Sequence, residues 1–133
     1  QLLPGISPNI GVYPTDPEAD PLADWLTWTE SFKPHARADH LVLPGHKLPF
    51  TGLPLRLQQM GENHHAALAR LRTHLRRPHT ATDCFVALFK RPIAESEYGL
   101  ALVEAVAHLN CLLRRGEVSR SLNSDGAWVW QAL

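Results

Sequence analysis

Residues 51–75 read TGLPLRLQQMGENHHAALARLRTHL, and this stretch decides the fold class. Leu57, Met60, His64, Leu68, Leu71 and Leu75 recur in steps of three or four, the spacing that aligns side chains along one face of an α-helix. Thr51-Gly52-Leu53-Pro54 supplies a start, because proline suits the first turn, where a missing N–H costs nothing. Gly61 lowers helix propensity by about 1 kcal/mol relative to alanine and marks a place for a kink. Pro78 closes the segment.

Toward the C-terminus, Thr80 and Asp83 form a capping-box pattern ahead of Cys84, Phe85, Leu88 and Phe89, the inner face of a short helix ending before Pro92. A third helix spans Tyr98 to Arg115, with Leu102, Val103, Val106, Leu109 and Leu113 as its buried stripe and Gly116 as its C-cap. Glu117–Leu122 and Ala127–Gln131 flank Asn123-Ser-Asp-Gly126, the composition of a hairpin turn. Val118, Leu122 and the Trp128–Trp130 pair are its expected inward positions. The chain is thus expected to be mainly α with a small amount of β. Three helices followed by a hairpin describe a winged-helix-like domain over 51–133.

Toward the N-terminus, five prolines in residues 1–21 forbid a long helix and break any strand. Asp20 and Pro21 then cap an amphipathic helix carrying Leu22, Trp25, Leu26, Trp28 and Phe32, stopped near Pro34. His40-Leu-Val-Leu-Pro44 reads as a buried strand ending in a turn at Gly45. A lone buried strand cannot satisfy its own edges, so partner strands are expected from outside these 133 residues. The opening residues Gln1–Gly5 have neither an initiating Met nor a signal-peptide pattern, and the chain reads as cut from something longer.

Thirteen Lys plus Arg balance thirteen Asp plus Glu, so no overall field draws a polyanion or an anionic membrane. Hydrophobic residues make up 44% and charged residues 20%, which suits a folded globular chain rather than a disordered one. No apolar run approaches the roughly 20 residues that cross a bilayer. Cys84 and Cys111 sit among apolar neighbours, as reduced core thiols of a cytoplasmic protein would.

Leu43-Pro-Gly-His-Lys-Leu-Pro-Phe50 resembles the late metal-ligand motif of metallo-β-lactamase-fold hydrolases, in which a strand ends in Pro-Gly-His or Pro-Ala-His. Leu3-Pro-Gly-Ile-Ser-Pro-Asn9, then Asp20-Pro-Leu, extend the resemblance along the chain. It implies that residues 1–50 are the end of the α/β catalytic fold and that His46 is a zinc ligand. A strand end holds an imidazole rigidly at the sheet rim, where its neutral nitrogen can reach a metal near 2.0 Å. The family's His-x-His-x-Asp-His signature is absent, and Gln1 stands just after where a metal-bridging aspartate would be. Two zinc ions are therefore expected in a full-length parent and none held tightly by these residues alone.

In such a parent the metal centre activates water against an ester, thioester or lactone. This chain alone is expected to be inactive, an accessory or interaction module packed against the missing catalytic half, with a homodimer as a further expectation. Lys47 stands where the family frequently has glycine, and is assigned to the substrate rim, where it could meet an anion. The alternative reading is an RNA-binding or RNase-associated winged-helix module. DNA is disfavoured, because the third helix offers Glu104, His108 and Asn110 among apolar residues before Arg114 and Arg115. Arg70, Arg72, Arg76, Arg77, Lys90 and Arg91 read as a solvated basic face. Adjacent histidines on a helix point about 100° apart, so His64 packs and His65 faces solvent. His108 and Cys111 are assigned to the core.

Overall fold

Asp20 starts the first helix in the computed structural model, which describes residues 2–133; the reading of Gln1 lies outside the described residues. Its Oδ1 accepts the Ala23 N–H at 3.0 Å, and Pro21 takes the first helical position of α1, Pro21–Phe32. Helix α2, Leu53–His74, runs unbroken through Gly61. Leu57, Met60, Leu71 and Leu75 are fully buried, which is the predicted stripe. The Thr80–Asp83 box forms reciprocally: the Thr80 N–H donates to Asp83 Oδ2 at 2.9 Å and the Asp83 N–H to Thr80 Oγ1 at 3.4 Å. One further turn leads into α3, Phe85–Phe89.

Helix α4, Tyr98–Arg114, ends as its sequence demands. Gly116 takes φ +69°, its N–H bonds the Leu113 carbonyl at 3.0 Å, and the Glu117 N–H bonds the Leu112 carbonyl at 3.0 Å. This double closure satisfies carbonyls the helix leaves open. The most buried side of α4 is Ala101, Ala105, His108, Leu109 and Leu112. Of the expected stripe only Leu109 is fully enclosed, while Leu102, Val103, Val106 and Leu113 sit half-buried at its edges.

The hairpin pairs β1, Val118–Leu122, with β2, Trp128–Ala132, antiparallel, with Arg120 opposite Trp130. Asn123 Oδ1 accepts the N–H groups of Asp125 and Ala127 and shapes the turn, in which Gly126 has φ +76°. Val118 and Trp130 are buried as expected, but Leu122 and Trp128 are 57% and 45% exposed. Only the base of the hairpin lies over the helices. On the same face, Arg120 bonds Glu18 at 3.0 Å and lies 4.2 Å over the Trp128 ring, so a charge covers the tip.

The molecule is mainly helical with one small antiparallel sheet. No helix of the described residues is long and apolar enough to cross a membrane. One hydrophobic cluster joins Ile10, Leu22, Trp25 and Leu26 to α2, α3, α4 and the hairpin. The proline-rich segment is strapped onto this core. Arg56 donates to the Leu3 and Ile6 carbonyls at 2.6 and 2.8 Å, the Val12 N–H to the Val103 carbonyl at 3.0 Å, and Asn110 Nδ2 to the Pro17 and Ala19 carbonyls at 2.9 Å each.

Gly11 lies where this strap meets α4: a Cβ there would stand 2.7 Å from Val103 Cγ2 and 3.0 Å from its Cβ. Val103 is β-branched and stiff at χ1, so it cannot swing clear. Gly11→Ala is expected to cost about 1–3 kcal/mol of stability by overpacking. Urea denaturation of this variant beside a Gly5→Ala control, whose Cβ meets nothing within 4 Å, checks it. Equal midpoints for the two would refute the close approach.

Candidate functional site

The expected buried strand at 40–44 is not formed. Only Val42 pairs, in an isolated antiparallel bridge to Phe50: the Val42 N–H donates to the Phe50 carbonyl at 2.8 Å, and the return bond is 3.1 Å. Leu41 and Leu43 are 65% and 74% exposed. A strand needs neighbours to satisfy its edges and cover its faces, and among the described residues Val42 finds only its own chain returning.

The result is a closed loop over 42–50 with His46 and Lys47 exposed at its turn. Lys47 has φ +73°, a left-handed conformation that a lysine tolerates poorly and glycine adopts freely. The departure from glycine noted in the sequence therefore falls at a backbone position that favours glycine. At the base of the loop, Arg37 holds Asp39 by two bonds of 3.0 and 2.5 Å, and the Gly52 N–H donates to the Ala38 carbonyl at 3.0 Å. Leu48 is 80% exposed. One exposed imidazole thus stands in a segment that also exposes three leucines.

Residues 68–133 match the family described as "Metallo-beta-lactamase-like, C-terminal domain". Over 99% of its length the chain superposes on a β-lactamase domain protein from Burkholderia ambifaria, with 34% identity and a TM-score of 0.93. This chain belongs to the metallo-β-lactamase-like family. A metallo-β-lactamase family protein from Thermus thermophilus is similar over 99% of the chain, with 27% identity and a TM-score of 0.79. The chain spans 39% and 40% of the length of these two proteins. Among curated proteins none matches.

Within this metallo-β-lactamase-like chain the helices build a second polar site, which the sequence reading did not assemble. His64 and His108, 4% and 2% exposed, meet with 3.3 Å between His64 Nδ1 and His108 Nε2. Each was correctly assigned to the core, but their pairing depends on how α2 crosses α4. Their tautomers follow from one acceptor. His108 Nδ1 lies 2.9 Å from the Glu104 carbonyl, which can only accept, so Nδ1 carries the proton and Nε2 a lone pair. His64 must then donate from Nδ1, which leaves its own Nε2 as a bare acceptor, and that atom is buried without a partner. Burial drives the His64 pKa down from 6.5 to about 4, with His108 and His65 adding to the effect. His108 is lowered too, chiefly by burial.

A cavity of about 230 Å³ opens beside the pair, bordered by Ser7, His64, Arg70, Lys90, Glu104 and His108. Burial raises the Glu104 pKa to about 7, against a lowering hydrogen bond from Asn9 Nδ2 at 3.1 Å. Arg70 is fixed by bonds to the Ala87 and Leu88 carbonyls at 3.0 and 3.2 Å. Cys84 and Cys111 are buried free thiols, raised by burial to about 12 and about 11, and so are protonated and unreactive at neutral pH.

Proposed function

We propose that this chain is the C-terminal part of a metal-dependent hydrolase, in which His46 supplies one zinc ligand and the other ligands come from residues outside these 133. The observation that carries the reading is the loop over 42–50, where a free imidazole is held at the turn between exposed Leu43 and Leu48. Such a surface suits a face covered by further sheet, with the histidine at its rim. No group of three or more His, Cys, Asp or Glu among the described residues is placed to hold a metal ion. The fit is therefore to one ligand of a larger set. When bound, zinc would supply an activated water and a polarised carbonyl, which suits ester, thioester or lactone hydrolysis. His46 would hold its ring toward that centre, and Lys47 would border the substrate.

In this reading residues 51–133 are a winged-helix-like accessory domain. RNA binding by α4 has less support, because its polar side chains are engaged within the chain. Asn110 clasps the Pro17 and Ala19 carbonyls, Glu104 accepts from Asn9, and Arg114 donates to the Glu18 carbonyl.

Calorimetric zinc titration of this chain, and of a version extended N-terminally to the length of its structural relatives, tests the assignment. Tight binding is expected only in the longer protein, weakened at least roughly 100-fold by His46→Ala, beyond the usual loss of an outer-shell partner. Tight binding by the 133-residue chain, or indifference of the longer one to His46→Ala, overturns the reading.

A further inference from the structure

Residues 1–32 contain five acids, Asp16, Glu18, Asp20, Asp24 and Glu30, and no Lys, Arg or His, within a chain whose formal charge is zero. The proline-rich strap and α1 therefore form an acidic pole. On α1, Pro21, Asp24, Trp25 and Trp28 follow the i, i+3, i+4, i+7 spacing of one helix face. That face meets Ile10, Gly11 and Tyr13 of the strap across a cavity of about 470 Å³, within the range of roughly 300–1,000 Å³ usual for small-molecule sites. Trp25, 7% exposed, forms its floor and is held by an edge contact to the His64 ring at 5.0 Å. Tyr13 and Trp28 stand at its mouth, 57% and 41% exposed. Trp28 is fixed by stacking on Phe32 at 5.3 Å, whereas Tyr13 pairs with no ring among the described residues, so the two do not fill the space by packing on each other. The strap is firm here, because the Asp16 N–H closes a turn on the Tyr13 carbonyl at 3.0 Å and Val12 is bonded to α4. Glu18 and Glu30 are neutralised by Arg120 and Lys33. Asp24 borders the cavity with no salt bridge among the described residues, and no cation borders it with Asp24.

We propose that this cavity binds a small organic cation bearing a quaternary ammonium group, its methyl groups against Trp25, Trp28 and Tyr13 and its charge beside Asp24. A quaternary ammonium has no N–H to donate and cannot shed its charge. It is therefore held by aromatic faces, whose quadrupole is negative, and by a nearby carboxylate, not by hydrogen bonds. Three rings and one unpaired carboxylate around a single cavity are that set of groups. An anion would meet Asp24 with no cation to offset it. Nucleobases stacked on the exposed rings would need a basic groove for their phosphates, and the acidic pole supplies the opposite charge. His46 and the loop over 42–50 take no part in the cavity, so the site stands independently of the zinc-ligand reading.

Three matched probes, titrated into the intact chain and followed by NMR of the indole N–H groups, test the proposal. Choline carries the trimethylammonium group; 3,3-dimethyl-1-butanol has the same shape without the charge; ethanolamine has the charge without the methyl groups. Choline is expected to bind saturably in the millimolar range, on the order of tenfold tighter than either of the others. It should shift the signals of Trp25 and Trp28 and leave those of Trp128 and Trp130, which lie on the hairpin, in place. Asp24→Asn and Tyr13→Ala change exposed side chains, so both variants fold, and each should weaken choline severalfold. Asp24→Asn should leave the uncharged probe unchanged. Equal affinity for choline and either control, no saturable shift by choline, or indifference of choline binding to both substitutions overturns it.

Discussion

Trp130→Ala is expected to be among the most destabilising single substitutions in this chain, costing about 3–5 kcal/mol. The indole is 4% exposed and belongs to the central cluster. Its backbone also joins the sheet to the helices. Besides pairing with Arg120 on β1, residue 130 bonds His79 in both directions, at 3.1 and 2.9 Å, and the Ala132 N–H reaches the Leu75 carbonyl at 2.8 Å. Strand β2 is therefore lined on its second edge by the segment leaving α2. Emptying the site would loosen the hairpin, the end of α2 and the approach to α3 together.

One term works the other way. Trp130 Nε1 is buried without a partner, and an unmade buried hydrogen bond costs on the order of 1–3 kcal/mol. Trp130→Phe removes that orphan and keeps most of the volume, so it should cost far less than the alanine change. Trp128→Ala, at a half-exposed ring under Arg120, should cost only about 1 kcal/mol. Urea denaturation of the three variants should place Trp130→Ala far below the other two, with Trp128→Ala and Trp130→Phe close to wild type. If Trp128→Ala were as damaging as Trp130→Ala, the hairpin would pack by its tip and the placement of the core would be wrong.

How far the sequence reveals the molecule depends on whether a residue's partner is near in the chain. Asp20, Thr80 with Asp83, Gly116 and Asn123 act on neighbours within a few positions, and each does what its type requires. The stripe of α2 is legible for the same reason, since helical period alone selects it. The hairpin tip misleads because alternation tells which face Leu122 and Trp128 occupy but not how far the helices extend beneath them. The run His40–Pro44 has strand composition, yet composition cannot provide neighbours, and Leu41 and Leu43 stay exposed. His46 is found by its motif and left unenclosed by its structure. The His64–His108 contact joins residues 44 apart, and the single hint is a histidine inside each apolar helix face. Likewise the polar residues of α4 look like a surface until the proline-rich segment is seen lying across them.

That buried pair sets the second large effect: with the Glu104→Gln substitution, the chain is expected to lose stability steeply as pH falls from about 6.5 to 4. His64 folds neutral with a pKa near 4, against 6.5 for an open histidine. Its depressed value favours the folded state fully above 6.5, and the benefit is lost as pH drops through the interval, because only the unfolded chain then takes up the proton. The loss amounts to about 3 kcal/mol for His64 at 4% exposure. His108 acts in the same direction, with Arg70 reinforcing burial. Glu104 opposes them. Its pKa is raised from 4.5 to about 7, so its protonated form is the one that suits the fold, and acidification through that range returns stability. Asp83, lowered by its bonds to Thr80, sheds its contribution only near and below 4, outside this window. The Glu104 shift is as large as that of His64 and opposite in sign, so in the unaltered chain the two offset over the same interval and the net loss is left to His108. Denaturation midpoints measured between pH 7.5 and 4.5 should therefore fall. Glu104→Gln, which removes the opposing titration, should be more stable than wild type at pH 7.5 and should fall more steeply on acidification. A flat profile in Glu104→Gln, or a slope no steeper than that of the unaltered chain, would mean that the pair is open to water.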